Sequence, residues 1–262
     1  MRTPFIFLFA AAAACSSDST GSSTTTTTLN ADVAAVAADA AAEDVDVMAG
    51  MNGLTGTIAF GAAVLDPDDL PPGPGNTAGC GFGGGRFTCP PNTANGLTIT
   101  RTLTFFDELD ATQTAYDADL TARVDLEATL AGDVTRGPWT ATISRSRDFS
   151  FTGLLGAETT RTVNGTAASE NSRARFTDRG PNRNYTMTST ATVEDVVVPV
   201  AADTPPWPLS GTVTREFVVT IGDQSPVMRT VVITFDGTAT PPATVNGEPF
   251  TINLAERRAF RR

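Results

Sequence analysis

Apolar and polar side chains alternate with a period of two through much of this chain after residue 96. In residues 97–106, Leu97, Ile99, Leu103 and Phe105 alternate with Thr98, Thr100, Thr102 and Thr104, with Arg101 the exception on the apolar face. Leu120, Ala122, Val124, Leu126, Ala128 and Leu130 repeat the pattern against Thr121, Arg123, Asp125, Glu127 and Thr129. Tyr185, Met187, Ala191 and Val193 follow it, then Val213, Phe217, Val219 and Ile221, then residues 229–235 and 248–254. This period sends successive side chains to opposite faces, so each segment is a half-buried strand. Threonine suits the wet face because its branched side chain packs on a pleated surface while the hydroxyl stays hydrated. Turns rich in Gly, Asn and Pro separate the strands, which favours antiparallel pairing.

Residues 30–50 follow a different period. Alanine, the best helix former, dominates them; Val33, Val36, Ala37, Ala40 and Ala41 recur at helical spacing, and Asp32, Asp39 and Glu43 are expected to keep another side in water. Asn30 or Asp32 caps the start, and Gly50 and Gly53 end the helix. Residues 54–65 predict a first strand. The expected architecture is all-β with one N-terminal α-helix. A β domain over residues 51–254 holds a large antiparallel sheet, either a sandwich or one curled, partly closed barrel around the helix. Residues 255–262 are expected to form a basic, frayed C-terminal tail.

The N-terminus carries an address. Arg2 precedes a ten-residue apolar run, residues 5–14, too short to span a bilayer, which takes about 20 residues. It has the form of a secretory signal peptide over residues 1–14. Ala12-Ala13-Ala14-Cys15 resembles the lipobox of bacterial lipoproteins, departing from it in having Ala12 where Leu is usual. The resemblance implies a lipid on Cys15, and Ser16 after it implies the outer membrane of the cell envelope. Residues 15–29 then read as a Ser/Thr-rich linker. The alternative is ordinary cleavage after Ala14, which releases a soluble periplasmic protein.

Residues 66–96 form a long Pro/Gly-rich loop containing Cys80 and Cys89. With Cys15 taken by lipid, these two are an even pair in an oxidising compartment and are expected to form a disulfide. Phe82, Arg86 and Phe87 at the loop tip form a possible binding surface, since exposed aromatic and Arg side chains anchor interfaces. The competing expectation is that both rings fold back over the end of the sheet.

Charge and composition narrow the chemistry. The net charge of −11 opposes binding to nucleic acid. No histidine is present, which removes Ser-His-Asp and Cys-His catalysis and His-ligated metals. No cofactor, metal site or catalytic residue is predicted. Asp107, Glu108 and Asp110, and Asp66, Asp68 and Asp69, are the acidic clusters left, and neither has calcium-loop spacing. Arg173, Arg175, Arg179 and Arg183 read as a solvated hairpin with cross-strand ion pairs, or as a contact for an anionic glycan. Trp139 and Trp207 read as packing residues, with a sugar platform as the sharper option. Asn164-Gly165 and Asn246-Gly247 each follow a Phe-x-Gly segment, and both predict tight hairpin turns, by old duplication or by shared turn chemistry. Three classes of function remain, in order: an anchored, non-enzymatic envelope protein, structural or binding an envelope protein or glycan partner; a carrier for an apolar or glycan ligand between sheet and helix; and a carboxylate-based hydrolase.

Overall fold

The computed structural model describes residues 20–51, 59–60, 63–64, 77, 79–94, 96–136, 139–156, 159–175, 183–200 and 207–262. The expected signal peptide, the lipobox-like stretch with Cys15, and Asp66, Asp68, Asp69 and Arg179 lie outside them. One helix, α1 (Thr20–Met51), precedes a two-stranded ribbon, β1 (Ala59–Phe60) with β2 (Ala63–Val64). The main sheet follows: β3 (Gly81–Gly83), β4 (Arg86–Ala94), β5 (Leu97–Phe106), β6 (Thr112–Gln113), β7 (Arg123–Arg136), β8 (Trp139–Thr152) and β9 (Thr160–Arg175). It continues through β10 (Arg183–Pro199), β11 (Ser210–Ile221), β12 (Val227–Thr234), β13 (Pro242–Val245), β14 (Glu248–Asn253) and β15 (Arg258–Arg261).

Each strand pairs antiparallel with its neighbour in sequence, except that β6 is a short branch on β5 and β7 takes the place beside it. The result is one curled, open sheet of thirteen strands, with β3 and β15 at its edges. The expected all-β fold with one N-terminal helix is therefore correct, and of the two arrangements the curled sheet is the one formed.

The helix fills the concave face. Val33, Ala34, Val36, Ala37, Ala38, Ala41, Ala42, Val45 and Met48 are buried and cover most of its circumference, while Asp32, Ala35, Asp39 and Asp46 on the remaining face are half-buried. Alanine is what lets a helix sit inside a sheet this way, because its small side chain keeps the two backbones close. The wall it meets is Leu103, Phe105, Phe149, Phe151, Met187, Phe217, Ile233 and Phe250, all nearly or fully buried. The convex face is polar and rich in Thr. No helix among the described residues is long and apolar enough to cross a membrane.

Several expectations change. The segment expected to be linker over 15–29 is helical from Thr20 and already buried at Leu29; once the packed part has formed, adding residues to it costs less than starting a new helix. Residues 59–60 and 63–64 of the expected first strand pair with each other and not with the main sheet. The loop expected over 66–96 becomes, from Gly81, a hairpin joined to the sheet, with Phe87 and Cys89 turned into the core. Pro90 and Pro91 sit where the β4–β5 register shifts between Cys89 and Asn92, a place where a missing N–H is tolerated. Leu120 is exposed while Thr121 is buried, so the alternation begins only at β7. The expected frayed tail is instead edge strand β15, paired with β14.

The two Asn-Gly pairs part company. Asn246 and Gly247 have φ of 48° and 80° and close the β13–β14 hairpin. Asn164 and Gly165 lie inside β9 with no turn. Gly165 is needed there because a Cβ would stand 2.1 Å from the Asp148 carbonyl oxygen.

Candidate functional site

β8 directs Ile143, Arg145, Arg147, Phe149 and Phe151 to the concave face, so two arginines interrupt an apolar row. β11 does the same with Val213, Arg215, Phe217 and Val219. Small residues flank these arginines on neighbouring strands: Ala128 and Ala167 beside Arg147, Ser169 beside Arg145, and Ala191 beside Arg215. The space they leave admits the long side chains.

The counter-charges come from the helix. Asp39, Glu43 and Asp46 share one helical face, with Asp44 beside them. Glu43 is fully buried, against the expectation that it keeps a side of the helix wet. Its Oε2 pairs with Arg145 Nη1 and lies 3.2 Å from Arg147 Nη2. Arg147 Nε donates to Asp44 Oδ1 at 2.6 Å, and Arg215 Nη2 donates to Asp44 Oδ2 at 2.9 Å. Arg145 Nη2 reaches Asp39 Oδ2 at 3.3 Å. From beyond β14, Arg257 pairs with Asp46 and lies 3.9 Å from both Asp39 and Glu43. Four arginines thus meet four carboxylates. A polar row extends the network: Arg215 Nη1 donates to Ser189 at 3.2 Å, Ser189 and Ser169 share a hydrogen bond of 2.7 Å, and Asn171 donates to Ser169.

Burial and charge compete inside this cluster. For Arg145 burial alone favours the neutral form, but Glu43 and Asp39 outweigh it and hold the guanidinium above its ordinary pKa. For Arg215 burial wins over Asp44, and its pKa falls. Burial pushes the Asp46 carboxyl from 3.8 up to about 7; Arg257 opposes the rise and Glu43 adds to it. Arg101, half-buried and without an ion pair among the described residues, is also lowered by desolvation.

Nearer the start of the helix a second set of contacts ties it to the sheet. Arg229 Nε donates to Asn30 Oδ1 at 2.7 Å, Asn30 Nδ2 to Glu248 at 2.8 Å, and Tyr185 Oη to Asp32 at 2.6 Å.

Beside the network, between the helix, β7–β9 and β15, lies a cavity of about 550 Å³. Val36, Val134, Ala141 and Ile143 line part of it, and Arg145, Arg173 and Arg258 another part. Arg173, half-buried, lines this cavity on the concave side; residues 176–182 of the expected hairpin lie outside the described residues. The side chains of Arg175, Arg183 and Trp139 lie outside the described residues. Trp207 is half-buried and packs on the core.

Cys80 and Cys89 form a disulfide. Of the three loop-tip residues, Phe87 is 7% exposed and stacks between Phe82 and Phe105, with ring centroids 4.8 and 5.3 Å away. Phe82 stays 46% exposed on top of it, and exposed Arg86 lies 3.8 Å from Glu127. Only two of the three are thus presented to solvent. Asp107 accepts from the backbone N–H groups of Leu109 and Ala111, and Asp110 pairs with Arg123 at 2.6 Å, so this acidic cluster shapes a solvated turn. Among the described residues no group of His, Cys, Asp and Glu could hold a metal ion.

The sequence pattern carried a signal for the buried network that the alternation test discards. Inner-face positions of β8, β9 and β10 hold Arg145, Arg147, Ser169, Asn171 and Ser189 in line with apolar residues of the same strands. Comparison with protein-family models, curated proteins and solved structures finds no match to this chain.

Proposed function

We propose that this chain is an anchored, non-enzymatic body of the cell envelope, tethered through lipidated Cys15 and serving a structural role or holding an envelope protein or glycan partner. The observation that carries it is the filled interior. A curled sheet of this size has room for a ligand, and here its own helix occupies that room and is riveted by the arginine–carboxylate network. The interior carboxylates face arginines. That is poor geometry for a hydrolase, which needs two carboxyl groups flanking a cleft. The filled core also leaves little of the deep apolar space that a carrier of large lipids requires.

Anchoring is tested by fractionation and mass spectrometry of the mature N-terminus. The wild-type chain should sediment with membranes and begin at a lipid-modified Cys15, and Cys15→Ser should move it to the soluble fraction. A soluble wild-type protein beginning at an unmodified Cys15 would refute the anchor.

A further inference from the structure

We infer that the recess formed by the loops after β5 and β8 docks a partner protein, through a short segment that carries apolar side chains between basic ones. This gives the partner-holding part of the proposed function a surface, and it rests on that reading only for the orientation of the site. β5 ends, β7 begins and β8 ends at one end of the sheet; β10 starts at the other, where Tyr185 holds Asp32 of the helix. The helix therefore starts at one end of the sheet and the recess lies at the other, turned away from an anchor at Cys15.

Three leucines gather there. Leu109 is 88% exposed, Leu120 59% exposed and Leu155 half-buried, and all three line one recess of about 430 Å³. A single exposed leucine is ordinary on a protein surface, whereas a contiguous group around one recess marks a place of contact. The group is held in shape. Asp107 accepts from the N–H groups of Leu109 and Ala111, and Asp110 takes a φ of 60°, which sets Leu109 at the apex of a closed turn. Thr121, fully buried, donates to Gln113 at 2.7 Å and accepts from the Asp117 N–H at 2.9 Å, while its neighbour Leu120 is left outside. The Gly156 N–H donates to the Ala118 carbonyl at 2.9 Å and ties the β8–β9 loop to the same unit. Tyr116 fastens that unit to the core, edge-on against Phe105. A surface already fixed in its binding shape loses little conformational freedom when it is covered.

The charges select the partner. Asp107, Glu108 and Asp119 line the recess beside the leucines, and no basic residue does. Glu108 and Asp119 are exposed and make no ion pair among the described residues. Arg123, at the start of β7, is engaged with Asp110 and Asp125. An apolar floor with a negative rim is complementary to apolar side chains flanked by Arg or Lys, and such complementarity steers encounter and excludes wrong partners. The same rim repels anionic lipid head groups. A bare cation would leave the leucines uncovered, and an uncharged apolar segment would leave the carboxylates unanswered.

The test is a fluorescence-anisotropy titration of residues 15–262 with Cys15→Ser, which carry no lipid, so that failure of the anchor and failure of the docking site give separate results. The probe is a short, capped, fluorescently labelled peptide with leucines flanked by arginines. It should bind saturably, and versions with alanine for leucine or glutamine for arginine should each bind about tenfold more weakly or worse. Leu109→Ser and Leu120→Ser should each weaken the peptide by about tenfold. Glu108→Gln combined with Asp119→Asn should weaken it by a similar factor and reduce the loss of binding in roughly 0.5 M salt. These side chains are solvent-exposed, and circular dichroism checks that each variant folds. The inference is overturned if the peptide shows no saturable binding, if either control peptide binds as tightly, or if the folded leucine variants bind like the parent chain. Binding of phosphatidylcholine vesicles that Leu109→Ser abolishes would also overturn it, by assigning the recess to a lipid surface.

Discussion

Replacing Asp44 by alanine removes the carboxylate that Arg147 and Arg215 share. Arg147 keeps Glu43 at 3.2 Å, but Arg215 keeps only the Ser189 hydroxyl, also at 3.2 Å. Both guanidinium groups are almost fully buried, so Arg215 becomes a buried cation without a counter-ion. Removing one partner of a buried pair costs about 3–5 kcal/mol, mainly because of the charge left behind. At about 2–4 °C per kcal/mol for a chain of this size, the midpoint should fall by roughly 6–20 °C. Adding Arg215→Met removes the stranded charge and fills much of its volume. The double variant should therefore recover more than half of the loss, with a coupling of about 2 kcal/mol or more between the two sites. Urea unfolding followed by far-ultraviolet circular dichroism at neutral pH measures each term, provided the slope with denaturant stays constant. A loss below about 1 kcal/mol for Asp44→Ala, or a double variant no more stable than the sum of the singles, would refute a closed network in which each charge depends on its partner.

Two further outcomes follow from the same structure. Phe87→Ala should cost about 3–4 kcal/mol in the same unfolding assay, as for other buried rings, while Phe82→Ala should cost less than about 1 kcal/mol; equal costs would overturn their assignment to core and surface. Stability should fall as pH rises between about 4 and 7, because the folded Asp46 carboxyl titrates near 7 against 3.8 ordinarily and the folded state holds its proton longer than the unfolded one. That contribution is complete below the unfolded value and gone above the folded one, on the order of 2 kcal/mol after solvent screening; Asp46→Asn should flatten the slope, and a slope unchanged in that variant would refute the assignment to Asp46.

Local pattern was enough for much of the fold. Strands β5, β7, β10 and β11 were legible because apolar side chains hold one face of each, and a period of two needs no knowledge of the partner strand. The Ala-rich helix was legible from propensity and spacing, and the disulfide from two cysteines nine positions apart in one loop. The long strands β8 and β9 were not named, because Arg145, Arg147, Ser169 and Asn171 occupy inner positions and make both faces look polar. For the same reason Glu43 read as a wet residue. What makes an arginine or a glutamate a core residue is a counter-charge about a hundred positions away, and no local window contains it.

Turn chemistry has the same limit. Asn246-Gly247 turns because the strands on either side pair with each other, whereas Asn164-Gly165 continues straight because β8 and β10 hold it on both sides. The end of the chain, expected to fray, is ordered because β14 offers it an edge and the helix offers Arg257 its carboxylates. The sequence by itself determined the secondary structure with apolar faces and the cysteine pair. Sandwich or curl, the burial of five of the eight network charges and the position of the cavity were decided only by the tertiary structure, because each depends on which distant residues the pairing of strands and helix brings within a few ångströms.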